Sequence, residues 1–291
     1  MSGGERIVFR DVRDFSARQT FECGQAFRWK RAQDGGYTGA AGGRAADIAF
    51  APAPGTPCAG EIVIRPLGGA GEDDRSFWAN YLDLGRDYGA VKRALGADDA
   101  VMARAVAQGA GIRILRQEPW ETLISFILSQ NNHIPRIKAC VERLCKHFGA
   151  PIGGVGGAFF AFPGIDALAA LSAADLAPCG LGYRAKYVIE TARCVSAAGG
   201  AAWLEGLRDV PFAEAERALL SLCGVGPKVA ACVLLFGLGR TEGFPVDVWV
   251  ARAMRELYGV ERKDAAAYAA AHFGDHAGIA QQYLFYYMQN R

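Results

Sequence analysis

Lys228 stands at the mouth of an apolar run, in L-C-G-V-G-P-K-V-A-A-C-V-L-L-F, Leu222 to Phe236. An amine in the first turn of a helix faces the helix's own partial positive charge. Partial burial adds a desolvation penalty for the charged form. Both effects favour the neutral amine, the form that attacks carbon. The plainer role for such a lysine is an exposed phosphate contact. Nineteen positions later, G-F-P-V-D-V-W-V-A-R-A-M places Asp247 just ahead of residues with helical spacing. That carboxylate suits a helix N-cap. It equally suits a group that assists Lys228 or stabilises a developing cation. The two roles are compatible.

The elements that hold Lys228 can be read from the flanking pattern. Phe212, Ala215, Leu219 and Leu222 recur at helical spacing, and Pro227 fits the first position of a second helix. Cys223 to Gly226 is then a tight connection, and a helix-hairpin-helix covers about 212–238. Gly224 and Gly226 supply backbone angles closed to other residues and let another backbone approach. The free N–H groups of the second helix suit a phosphate. Two nucleotide motifs do not fit. A P-loop needs a hydroxyl residue after the lysine, where Val229 stands. In a dinucleotide fingerprint the third small residue would come one position earlier than Ala230, and a strand would come first.

Elsewhere the texture changes along the chain. From Ile7 to about Gly69, short apolar runs such as F-R-W and E-I-V-I-R alternate with Gly- and Pro-rich turns, which predicts antiparallel strands. From about Asp73 the spacing becomes helical in S-F-W-A-N-Y-L and Y-G-A-V-K-R-A-L. Helices are predicted at Glu121 to Leu128, from Pro135 toward Phe148, and over Asp175 to Leu181, Arg184 to Ala198, Phe212 to Leu222 and Val248 to Leu257. The run G-A-P-I-G-G-V-G-G-A predicts a loop. The fold class is α+β. A mixed N-terminal module with an antiparallel sheet and helices, residues 1–117, precedes an all-helical body, residues 118–291.

Bulk properties narrow the classes. A formal net charge of +2 neither announces nor excludes nucleic acid. Eight cysteines include no C-x-x-C pair and no compact four-cysteine cluster, so neither zinc nor iron–sulfur ligation is indicated. Their apolar settings fit a reducing cytosol. The longest apolar stretch, Val229 to Leu238, is far short of the roughly 20 residues of a membrane span. M-S-G-G-E-R-I lacks a signal-peptide core. The expectation is a soluble intracellular protein without a membrane partner.

Together the hairpin word G-V-G-P-K-V-A and P-V-D-V resemble the helix-hairpin-helix DNA glycosylases, which carry a Gly/Pro-rich loop followed by an aspartate; Cys223 stands where many members have proline. Within them the chain most resembles the 8-oxoguanine DNA glycosylases of the eukaryotic type. Four further words carry this: C-G-Q-A-F-R-W (Cys23 to Trp29), G-I-R-I-L-R-Q-E-P (Gly111 to Pro119), S-Q-N-N-H-I-P-R-I (Ser129 to Ile137) and G-L-G-Y-R-A-K-Y-V (Gly180 to Val188). The resemblance implies a bifunctional glycosylase and AP lyase of base excision repair, acting as a monomer on duplex DNA containing 8-oxoguanine, with no cofactor and no metal. It implies that Lys228 attacks the sugar C1′ of a flipped nucleotide and that Asp247 stabilises the cationic sugar.

Further roles follow from the same resemblance. Gly24 would accept the N7–H that distinguishes 8-oxoguanine from guanine. Gln281 would read the Watson–Crick edge, with Phe285 and Cys232 on the two faces of the base. Asn131, Arg136 and Arg184 would meet the cytosine left opposite, and Tyr183 would wedge into the gap. Gly224 and Gly226 would belong to the DNA-binding hairpin. His133 departs from the family's asparagine, and Trp249 stands where the animal enzymes have histidine. The location implied is the nucleoid-containing cytoplasm of a bacterium or the nucleus of a eukaryote. Two alternatives are a glycosylase of the same superfamily for another damaged base, such as an alkylated purine, and a non-catalytic hairpin that only grips phosphate.

Overall fold

The computed structural model describes residues 6–68, 71, 73–153 and 159–291. Residues 1–5, and residues 154–158 of the loop expected at 149–158, lie outside these. Strands β1 (Ile7–Val12), β2 (Trp29–Arg31), β3 (Tyr37–Ala41), β4 (Arg44–Ala53) and β5 (Thr56–Pro66) form a five-stranded antiparallel sheet in the order β1-β5-β4-β3-β2. Gly42 and Gly43, at φ 52° and 74°, make the two-residue turn between β3 and β4. Two positive φ angles suit the twist of a tight hairpin.

The sheet covers a core of Trp29, Tyr37, Ile48, Ile62, Ile64 and Trp78. It is closed by α1 (Ala17–Glu22) and α2 (Asp74–Tyr81). The Trp29 indole donates to Tyr81 Oη at 2.7 Å, which satisfies its one buried donor. Helix α1 sits inside a segment whose pattern predicts strands. Its six residues are too few for helical periodicity to show, but Ser16 marks its start by accepting from Gln19 N–H.

Helices α3 (Tyr88–Gly96) and α4 (Ala100–Gln108) leave the sheet. They bury Tyr88, Val91, Leu95, Met102 and Ala105 in the second, helical core. That core is centred on α5 (Pro119–Leu128), whose residues are buried all round except at Glu121. Around it lie α6 (Ile134–Phe148), α7 (Ile165–Ala169), α8 (Arg184–Ala198), α9 (Ala201–Gly206), α10 (Phe212–Leu220), α11 (Pro227–Cys232), α12 (Val248–Tyr258), α13 (Ala265–Phe273) and α14 (Ala277–Gln289). Helix α11 runs on as a π-helical stretch, Val233–Gly237. There Gly237 approaches α5 so closely that a Cβ would lie 3.1 Å from Pro119 Cα.

One expected helix is corrected. Asp175 to Leu181 contains only a 3-10 turn, Ala177–Cys179. Pro178 removes a backbone donor there. Gly180 at φ 67° and Gly182 at φ 60° then turn the chain into α8. Among the described residues no helix is long and apolar enough to cross a membrane.

Candidate active site

Of the two hairpin glycines only Gly224 needs to be glycine; Gly226, at φ −98° and ψ 179°, is ordinary extended backbone with open space where a Cβ would stand, contrary to expectation. Gly224 has φ 74°, and a Cβ there would lie 2.4 Å from Tyr187 Cγ, so the turn packs directly on α8. Two side chains hold its carbonyls. Thr191 Oγ1 donates to Cys223 O at 2.7 Å, and Gln130 Nε2 donates to Gly224 O at 2.8 Å. Gly226 is the extended residue before α11, Pro227 follows, and Lys228 falls in the first turn.

Lys228 Nζ donates to Ser129 Oγ at 3.0 Å and lies 4.7 Å from the centroid of the Phe126 ring. The ring face attracts positive charge, opposing the helix terminus. Neither contact is visible in the local sequence, because each crosses about a hundred residues between the end of α5 and the start of α11. Asp247 caps α12, its Oδ1 accepting from Trp249 N–H at 2.9 Å and Val250 N–H at 2.8 Å. Burial pushes its carboxyl above the ordinary aspartate range; the Val250 N–H, the charge of Lys228, the Trp249 N–H and the charge of Arg262 pull it back.

Both residues line one cavity of about 880 Å³. Gly24, Asn131, Tyr183, Cys232, Gln281 and Phe285 line it too. Six separate segments thus deliver eight of the twelve residues singled out from sequence to one hollow. Gly24 has φ 77°, and a Cβ there would be 3.3 Å from Phe285 Cε1, so glycine and ring meet across some 260 residues of chain. A buried glutamine fixes this turn. Gln25 Nε2 donates to Thr20 O and Arg113 O, each at 2.8 Å, and its Oε1 accepts from Leu115 N–H at 2.8 Å.

Gln281 is only 4% exposed, and its Oε1 has no hydrogen-bond partner among the described residues. A buried acceptor left open beside a cavity calls for a ligand donor. Burial raises the Cys232 thiol to about 11. It therefore serves as an apolar wall rather than a nucleophile.

The remaining four residues do not line the cavity. Gly224 and Gly226 shape the hairpin behind Lys228. Arg136 is exposed on the first turn of α6, whose N-cap is His133, its Nδ1 accepting from Arg136 N–H at 3.4 Å. This gives His133 a structural role that the sequence leaves open. Arg184 departs most from expectation. The residue is 5% exposed, and its guanidinium donates to the backbone oxygens of Gln130, Asn131 at 3.0 Å and Leu181 at 3.3 Å. The donor fork is spent on the α5–α6 turn, which carries Asn131 at φ 48°. Tyr183, 54% exposed, lies over that guanidinium at 4.5 Å.

Comparison with known proteins places the whole chain in a family. Residues 7–123 match the N-terminal domain of 8-oxoguanine DNA glycosylase, and residues 124–275 match the HhH-GPD superfamily of base excision DNA repair proteins. The N-glycosylase/DNA lyase OGG1 of Arabidopsis thaliana is 32% identical over 91% of this chain and 75% of its own length. The structure of MBOgg1 in complex with a low-affinity DNA ligand superposes with a TM-score of 0.90 at 39% identity, over 100% of this chain and 97% of that one. The 8-oxoguanine glycosylase/lyase of Clostridium acetobutylicum, in complex with duplex DNA containing cytosine opposite 8-oxoguanine, gives a TM-score of 0.87 at 35% identity, over 100% and 99%. The chain belongs to the 8-oxoguanine DNA glycosylase family of the HhH-GPD superfamily.

Proposed function

We propose that this protein removes 8-oxoguanine paired with cytosine from duplex DNA and then cuts the strand through a covalent intermediate on Lys228. The observation that carries this reading is the single cavity shared by Lys228, Asp247 and the Gly24–Gln281–Phe285 cluster. A non-catalytic hairpin has no use for a cavity that holds an unpaired buried acceptor. The target nucleotide must leave the stack, because its glycosidic carbon is inaccessible inside a duplex.

In this reading the Lys228 amine bonds to C1′ as the C1′–N9 pair leaves with the base, which takes up a proton. Asp247 offsets the positive charge that develops on the sugar. Loss of the amine proton and opening of the ring at O4′ give a Schiff base. Removal of a C2′ proton then expels the 3′-phosphate and nicks the strand. Phe285 and Cys232 enclose the base, and Gln281 Oε1 accepts from its Watson–Crick edge. Gly24 supplies the carbonyl for N7–H.

On the other strand, Asn131 and exposed Arg136 meet the cytosine, Tyr183 fills the gap, and Arg184 acts by fixing the Asn131 turn. No cofactor is part of this reading, and a monomer suffices. The test is strand cleavage across duplexes with 8-oxoguanine opposite each of the four bases, beside an alkylated-purine duplex. Preferential cleavage of 8-oxoguanine opposite cytosine supports the proposal; equal or better release of the alkylated purine contradicts it.

A further inference from the structure

Trp249 is unlike the other four tryptophans. Trp29, Trp78 and Trp120 are 1%, 0% and 4% exposed, and Trp203 packs against the helical core. Trp249 is 36% exposed, and its neighbour Val248 is 69% exposed. Helix α12 buries Val250, Ala253 and Met254, so both residues lie off its core stripe. Large apolar side chains gathered at the rim of a cavity mark a contact surface.

Charge points the same way. Val248, Trp249 and Arg262 all line the cavity that holds Lys228 and Asp247. The Arg262 guanidinium is exposed and rests on Val246 O at 3.4 Å, one residue from Asp247. Its remaining donors and the exposed indole line the same cavity. An aromatic face next to an unspent guanidinium suits a nucleic-acid strand, where base or sugar offers a flat partner and phosphate a charged one.

Resting on the glycosylase reading, we propose that Trp249 and Arg262 grip the lesion strand beside the extruded nucleotide. The indole packs on the neighbouring nucleoside, and Arg262 pairs with a phosphate.

The test uses the full chain and a duplex with a tetrahydrofuran abasic analogue opposite cytosine, so that binding is measured without turnover. Trp249→Ala is expected to weaken binding about tenfold or more, and Trp249→Phe far less. Wild-type tryptophan emission should change on binding, and Trp249→Phe should lose that change because the other four indoles do not line the cavity. Arg262→Gln should lower the slope of log affinity against log salt by about one.

An emission change that persists in Trp249→Phe, Trp249→Ala affinity equal to wild type, or an unaltered salt slope in Arg262→Gln overturns the proposal. Should Trp249→Ala not fold, the emission and salt arms decide alone. Failure of wild type to cut an 8-oxoguanine duplex would instead reject the glycosylase reading.

Discussion

Asp247 holds two posts: it caps α12 with two accepted N–H bonds, and it faces a partly desolvated cavity. Its raised carboxyl sets the sign of two effects. The folded state holds the proton more tightly than the unfolded chain does. The stability contribution is therefore complete below the unfolded value and is lost as pH rises through the folded one. Asp247→Asn keeps a good cap and removes that cost. It should leave the neutral-pH unfolding temperature unchanged or slightly higher, while the rate falls on the order of 100-fold or more. A marked drop in unfolding temperature would contradict this. Wild-type activity should fade on acidification at a pH above that of an ordinary aspartate.

Gly24→Ala tests the other wall. Positive φ costs a side-chain residue about 1 kcal/mol, and the new methyl would crowd Phe285 at 3.3 Å. Cleavage of 8-oxoguanine should fall well beyond the small stability loss, as steady-state rates beside a melting curve would show.

Among elements, the hairpin is the most legible and the α5–α6 turn the least. Glycine, proline and helical spacing place α10, the turn and α11 from sequence alone. Gly224→Ala should displace the turn, because its Cβ would fall 2.4 Å from Tyr187 Cγ with no room to relax against α8. Reduced DNA affinity and a lower unfolding temperature are expected together, read by titration and thermal denaturation; wild-type values for both would refute the packing role.

The residues of the α5–α6 turn are named by the word S-Q-N-N-H-I-P-R-I, but their supports are not. Ser129 and Phe126 meet Lys228, and Arg184 holds Gln130 and Asn131, by contacts far apart in sequence. Local pattern carries no such information. It misleads outright at Asp175 to Leu181, where apolar spacing imitates a helix that Pro178 and two positive-φ glycines break.

On the scale of the whole molecule, two cores meet along a buried seam, and the cavity opens on the helical one. The sheet and the helical body are joined by Arg28 and Glu121, which pair at 3.1 Å with side chains 9% and 13% exposed. Arg28 also donates to Phe160 O, and Gln117 N–H donates to Phe236 O at 2.9 Å. Glu121→Ala would leave the guanidinium buried without its partner, at a cost of about 3–5 kcal/mol. Chemical denaturation should report that loss, and a change under 1 kcal/mol would deny the seam its role.

The change of texture near Asp73 reveals the α+β class, since strand and helix periods differ. It does not reveal that α3 and α4 bury their faces in the helical core. Amphipathic spacing shows that a helix has an apolar face, but not which neighbour covers it. Likewise the cavity's shape follows from how six segments converge, which no one of them specifies.

The central claim is that the Lys228 amine becomes joined to the sugar of an excised 8-oxoguanine nucleotide. Borohydride reduction during turnover on an 8-oxoguanine·cytosine duplex tests it most directly. The account predicts a stable protein–DNA adduct with wild type, mapped by mass spectrometry to Lys228, and none with Lys228→Gln. Strand cleavage by wild type without any trapped adduct, or an adduct of wild-type yield in Lys228→Gln, would contradict it.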